Sequence, residues 1–183
     1  MPSLTASELF AGAPYTSAVT PLTADDFTAA LSRVPSPVTV VTTRDADGRC
    51  WGFTASSFTS LSLDPPLVLV CPAKTSRSHQ AFVTARRFMI NVLATEQEEI
   101  ARHFARSQFD KFADVPITDC EFGLPGLPST SARLACSLYD VLDGGDHSIL
   151  VGRVESVHVG EKEPLVYFGR DFARLARDRE PTP

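Results

Sequence analysis

Between Ser36 and Val70 the chain alternates blocks of β-branched side chains with clusters of Ser, Thr, Gly and Pro, the pattern of short strands joined by tight turns. Val38-Thr39-Val40-Val41-Thr42-Thr43 reads as a strand, and Asp47-Gly48 as the turn that folds it back on the stretch from Gly52 onward. Leu67 to Val70 is a near-continuous apolar strand that must be covered on both faces, and Phe88 to Ala94 is another. Ala132 to Leu142 and Ser148 to Val159 are long strand candidates flanking the turn Asp143-Gly144-Gly145-Asp146-His147, and Pro164 to Arg170 closes the set. Helical periodicity is scarce. Thr23 with Asp25 and Asp26 opens a helix that places Phe27, Ala30, Leu31 and Val34 on one face before Pro35 ends it. Ser76 or Ser78 caps a short helix running to about Arg86, and Thr95 with Glu98 forms a capping box for a helix carrying Ile100, Ala101, Phe104 and Ala105. Six or more short strands with two or three short helices predict a mainly β protein, an antiparallel barrel with peripheral helices.

The length of 183 residues allows one domain. It is expected over 22–175, with 1–21 a flexible N-terminal arm and 176–183 a fraying tail. The 43% hydrophobic and 21% charged content is that of a soluble globular protein. A net charge of −5 argues against nucleic acid or an anionic membrane as partner, but leaves room for a local basic pocket. The first positive side chain is Arg33 and no apolar run reaches membrane-spanning length, so a cytoplasmic protein is expected. Cys50, Cys71, Cys120 and Cys136 are widely spaced and predict reduced thiols in place of a disulfide framework or zinc site.

Several chemistries lack their usual anchors. There is no Gly-x-Gly-x-x-Gly after a strand, no Gly-x-x-x-x-Gly-Lys-Ser/Thr and no Gly-x-Ser-x-Gly. His79, His103, His147 and His158 have no metal-ligand spacing. What remains is GFTASSFTSLSLDPPLVLVC, residues 52 to 71, in which Thr54, Ser56, Ser57, Ser60 and Ser62 offer small hydroxyls beside backbone N–H groups. Such groups grip carbonyl, ring-nitrogen and phosphate oxygens; the alternative is a polar strand and turn whose hydroxyls meet water. Lys74, with Thr75, Ser76 and Ser78 just before a helix start, makes a phosphate site or else a solvated lysine in a polar loop. His147, after two glycines and Asp146, can hydrogen-bond or stack on a planar ligand, or serve only the turn. Asp110, Lys111 and Phe112 add charge and an aromatic face.

Taken together, these blocks resemble the flavin reductase-like domain of the FMN-binding split barrel, the small reductase components of two-component flavin-dependent monooxygenases and halogenases. The blocks are SPVTVVTT (36 to 43), the stretch 52 to 71, KTSRSHQAF (74 to 82), FMINVLATEQEEIARHFA (88 to 105), DKFADV (110 to 115), GGDHSILVGRVESV (144 to 157) and PLVYFGRDF (164 to 172). The resemblance implies an antiparallel split β-barrel and a homodimer with flavin sites near the subunit interface. It further implies an NAD(P)H:flavin oxidoreductase that passes reduced FMN or FAD to a partner oxygenase. On that resemblance Pro37, Val38, Thr54, Ala55, Ser56, Ser57 and Ser60 lie by the flavin ring. Lys74, Thr75 and Ser76 lie toward the phosphate, and Lys111 and Phe112 close the site. Gly145, Asp146 and His147 receive the nicotinamide nucleotide of NADH or NADPH, with His147 a positioner and proton relay. Hydroxyls and backbone donors around the ring suit the negative charge of a reduced flavin. Asp114 stands where many relatives carry Gly, and Pro125 and Pro128 make the following loop atypical. The rival function is a module that retains its FMN and acts as electron carrier or sensor without turning over NAD(P)H.

Overall fold

The computed structural model describes residues 20–107 and 110–175 and divides the chain into two units, 1–31 and 32–183. The expected tail, and the arm except for Thr20 and Pro21, lie outside the described residues. In the first unit, helix α1 (Ala24–Leu31) begins at the expected place. The Thr23 hydroxyl (2.6 Å) and backbone N–H (3.2 Å) both donate to the Asp26 carboxylate, the hydroxyl foremost in holding that carboxyl below its ordinary pKa, and the Asp26 N–H donates back to the Thr23 hydroxyl (3.1 Å) in a reciprocal cap.

The second unit is built mainly of antiparallel strands. In chain order these are β1 (Ser36–Pro37), β2 (Thr39–Arg44), β3 (Cys50–Ala55), β4 (Thr59–Ser62), β5 (Leu67–Val70) and β6 (Arg87–Val92). There follow β7 (Thr118–Asp119), β8 (Pro125–Gly126), β9 (Ala132–Gly144), β10 (His147–Val159), β11 (Val166–Phe168) and β12 (Asp171–Ala173). Seven of them form one sheet in the order β3-β2-β6-β9-β10-β5-β4. Phe53 and Ala55 of β3 share a buried cluster with Val68 and Val70 of β5, although five steps of the sheet separate those strands. Only a curled sheet brings them together, and among the described residues its edge strands β3 and β4 are not paired with each other, which makes the barrel split. Register shifts at Val151/Gly152 and Val154/Ser156 in the β9–β10 ladder supply local bends of the kind curvature needs. The hairpin itself turns on Gly145 at φ +79°, the glycine-first geometry of a two-residue turn.

Two helical expectations are corrected. Helix α2 (His79–Val83) stops well short of Arg86, and Ser78 makes no side-chain cap; its hydroxyl is buried against that of Ser76 (2.8 Å) instead. Helix α3 (Glu98–Ala105) follows a 3-10 turn over Thr95–Gln97, so the reciprocal bond is made by Gln97, whose Oε1 accepts the Ala94 N–H (2.9 Å). Thr95 instead donates its hydroxyl to the Glu163 carbonyl (3.1 Å). The box slips because the chain enters the helix through that tighter turn.

One buried polar residue joins loop to sheet. Asn91, fully buried on β6, donates to the Val40 carbonyl (2.9 Å) and the Thr42 hydroxyl (3.2 Å) and accepts the Leu127 N–H (2.9 Å). All of its amide groups are satisfied at the point where the 125–127 segment crosses the sheet.

Candidate functional site

Strand β3 forms the floor of a cavity of about 450 Å³, with one wall from the 73–78 segment and His147 and the other from the end of α3 with Lys111 and Phe112. The first wall is stitched to the β9–β10 turn. The Lys74 N–H donates to the Asp146 carbonyl (2.9 Å), the Ser148 N–H to the Pro72 carbonyl (3.1 Å), and Ala73 pairs with His147 as an isolated bridge. His79 Nε2 meets the Ser148 hydroxyl (2.9 Å), tying the start of α2 to the same turn. Two segments some seventy residues apart therefore form one wall.

The second wall depends on Gly52. A Cβ built there would stand 2.7 Å from the Phe104 ring and 3.1 Å from that of Phe112, which pack edge to face at 5.1 Å. Lys111 donates to the Phe104 (2.7 Å) and Gly52 (3.2 Å) carbonyls, and burial pushes its pKa down. Its ammonium is thus a clamp between α3 and β3. The expected result of Gly52→Ala is a displaced Phe104–Phe112 pair, about 1–3 kcal/mol of lost stability, and a melting temperature lower by roughly 2–10 °C. Thermal denaturation followed by circular dichroism checks this; an unchanged Tm would mean that α3 can back away at no cost.

The cavity gathers Thr54, Thr75, Ser76, Lys111, Phe112 and His147 from the residues singled out in the sequence. Pro37, Val38, Ala55, Ser56, Ser57, Ser60, Lys74, Gly145 and Asp146 stand outside its lining. Val38 and Ala55 are buried in the core, whereas Ser56 and Ser60 are exposed beyond the end of β3. Ser57 accepts the Cys71 N–H (2.9 Å), and Thr54 donates to the Ala101 carbonyl (2.7 Å), so both hydroxyls brace the backbone. Lys74 is ion-paired with Asp143, whose carboxyl it holds below the ordinary range. Asp146 accepts from His147 Nδ1 at 2.7 Å, which lowers the Asp146 carboxyl and leaves Nε2 as the ring nitrogen available to a ligand.

Sequence reasoning missed Arg49, Trp51, Arg77 and Arg106, all of which line the cavity. Their positive charge was visible, but not their convergence. Among the described lining residues there is no Asp or Glu, in a chain whose net charge is −5. Cationic, hydroxyl-bearing and aromatic surfaces around one cleft suit an anionic ligand with planar rings. Cys50 also lines it, but burial raises its pKa and keeps the thiol neutral.

The fold and site together define a split antiparallel barrel with a cation-lined cleft along its edge strand. Residues 31–176 match the flavin reductase-like domain, and the chain belongs to that family. It is 43% identical over 147 residues to the actinorhodin polyketide dimerase of Streptomyces coelicolor, covering 80% of this chain and 83% of the relative. The stachydrine N-demethylase reductase subunit Stc3 of Rhizobium meliloti is 46% identical over 125 residues, which span 68% of this chain and about half (54%) of Stc3. Among solved structures, the NADH:FAD oxidoreductase SgcE6 of Streptomyces globisporus C-1027, in complex with NAD and FAD fragments, superposes with a TM-score of 0.80. It is 35% identical, over 85% of this chain and 94% of that one.

Proposed function

We propose that the protein is an NAD(P)H-dependent flavin reductase that supplies reduced FMN or FAD to a partner monooxygenase or halogenase. The observation that carries this is the acid-free, cation-lined cleft with His147 on the same wall as Thr75 and Ser76. Stc3, named as a reductase subunit, and SgcE6, named as an NADH:FAD oxidoreductase, support it. Bound flavin supplies the acceptor, N5, for the hydride leaving nicotinamide C4. The chain's own part is to hold and orient. In this reading Thr54 to Ser57 and Ser60, with Pro37 and Val38, border the ring, and Thr75, Ser76 and Lys74 meet the phosphate. Lys74 would then exchange its Asp143 partner for the ligand's anion. Gly145, Asp146 and His147 receive the nicotinamide half, while the Phe104–Phe112 pair excludes water. The four cysteines carry free thiols, which suits a reducing cytoplasm, and no helix among the described residues is long and apolar enough to cross a membrane. The test is NADH and NADPH oxidation with added FMN, FAD and riboflavin. Saturable turnover with free flavin is expected, and its absence with every pairing would defeat the proposal.

A homodimer belongs to the same proposal. Leu61 and Leu63 after the Ser/Thr stretch, and Tyr139, Val157 and Val159 on the long hairpin, are all more than half exposed. The Val154 N–H donates to the Pro66 carbonyl, and β5 alone separates β4, which carries Leu61, from β10, which carries Val157 and Val159. An exposed apolar surface of this kind on the β9-β10-β5-β4 side of the sheet suits a second copy, with the flavin sites near the interface. Light scattering at micromolar protein is expected to give twice the chain mass; a monomer with full activity would rule the dimer out.

A further inference from the structure

Ala73, Thr75, Ser76, Arg77 and Ser78 all line the cleft, and Lys74, in their midst, does not. Its ammonium is taken up by Asp143, at the β9 end of the hairpin turn. The two residues do not meet as loose surface chains. Asp143 stands opposite Ser148 in the β9–β10 ladder, the Ser148 N–H donates to the Pro72 carbonyl (3.1 Å), and the Lys74 N–H donates to the Asp146 carbonyl (2.9 Å). Backbone bonds on either side of the pair thus hold the lysine's loop against the carboxylate's turn. The charged groups themselves remain in contact with water, since the Lys74 side chain is 41% and the Asp143 side chain 79% exposed, and an ion pair so placed is weak and exchanges readily. An ammonium on a flexible four-carbon stem, with Thr75 and Ser76 beside it in the cleft wall, therefore has two anions to choose between: the carboxylate of its own chain and the anion of a ligand.

We propose that Asp143 is an internal anion that competes with the flavin phosphate for Lys74 and so keeps the flavin exchangeable. This rests on the flavin reductase reading and deepens it, by naming what sets the affinity of that site. A phosphate that takes Lys74 must displace the carboxylate, whereas a flavin without phosphate displaces nothing. FMN and FAD feel the competition alike, because both carry a phosphate on the ribityl chain, and riboflavin ignores it. Release of Asp143 to water costs little, as the side chain is already largely solvated. A reductase that hands reduced flavin on must let it go, and one competing carboxylate brings this about without altering the β3 floor. Removing that carboxylate moves the chain toward a flavin-retaining module.

The test measures Kd for FMN, FAD and riboflavin by flavin fluorescence quenching in wild type, Asp143→Asn, Lys74→Gln and the double variant. Asparagine removes the charge but keeps an oxygen for the Gly145 backbone, which Asp143 also accepts. In Asp143→Asn, Kd for FMN and FAD is expected to fall about 3- to 10-fold, the scale of one exposed ion pair plus the loss of a negative charge facing a phosphate, with riboflavin within roughly two-fold of wild type. In the Lys74→Gln background the same change is expected to leave FMN affinity where it was. An equal gain for riboflavin would mean that the turn had been reshaped, and a gain that survives Lys74→Gln would mean plain repulsion between carboxylate and phosphate. Either result overturns the competition, as does an FMN affinity unchanged in Asp143→Asn. Asp143→Ser repeats the titrations should the asparagine variant not fold. If flavin binding follows Asp143 but wild type oxidises no NADH or NADPH with any flavin, the reductase reading falls and the competition stands. Saturable turnover with an FMN affinity indifferent to Asp143 does the reverse.

Discussion

In the His147→Ala variant, kcat/KM for NADH falls by roughly 10- to 100-fold, equivalent to about 1.4–2.7 kcal/mol of transition-state stabilisation, while flavin affinity stays near wild type. The expectation follows from how the imidazole is held. His147 opens β10, pairs with Ala73 across the wall, and is oriented through Nδ1 by Asp146, so it reaches the cleft beside Thr75 but lies off the β3 floor. Removing it takes a stacking and hydrogen-bonding surface from that corner without touching the braces that Thr54 and Ser57 provide. Stopped-flow reduction of bound flavin by NADH, with fluorescence titration of flavin binding, separates the two effects. A collapse of flavin affinity at unchanged NADH dependence would assign the turn to the flavin half. The Asp146–His147 bond also has a pH signature. Because His147 depresses the Asp146 carboxyl, its contribution is fully present above the ordinary carboxyl pKa of about 3.9 and is lost as pH falls through the lower folded value. Wild type and variant should therefore differ in stability least in strong acid.

Asn91→Ala lowers stability by about 2–4 kcal/mol, a melting temperature drop of roughly 4–15 °C. The amide is fully buried and is the side-chain partner of the Val40 carbonyl, the Thr42 hydroxyl and the Leu127 N–H. Truncation leaves the Thr42 hydroxyl its bond to the Pro125 carbonyl but takes the side-chain acceptor from the Leu127 N–H, and a buried donor without an acceptor forfeits its full desolvation cost. Chemical denaturation with an unchanged m-value would locate the loss in the native state. A shift under about 1 kcal/mol would mean that water enters the space and replaces the amide.

Much of the barrel was legible in the sequence because its determinants are local. The apolar and β-branched runs at 38–43 and 67–70 alternate or bury as the strands they became, and Gly145 supplies the positive φ that the two-residue hairpin turn requires. Helix boundaries were less legible. Ser78 has the right residue type for a cap, yet its hydroxyl found Ser76 two residues back in the same loop, while Thr95 found Glu163, a partner that only the tertiary fold supplies.

The site divides in the same way. Residue type and order singled out Thr54, Thr75, Ser76 and His147, since small hydroxyls, a loop before a helix and a Gly-Asp-His turn carry their chemistry in local spacing; Lys111 and Phe112 came in through the family resemblance, and the fold brings all six around one cleft. What each side chain does there was decided only by the tertiary structure. Ser57 and Thr54 spend their hydroxyls on backbone groups 14 and 47 residues away, Lys111 clamps Gly52 to Phe104, and Lys74 pairs with Asp143 across 69 residues of chain. Arg49, Arg77 and Arg106 are ordinary surface cations in the sequence, and they become a cleft lining only when the curled sheet brings the start of β3, the loop before α2 and the end of α3 together. Hydrogen-bonding partners and the convergence of charge depend on distances across the fold, and no one-dimensional pattern contains those distances.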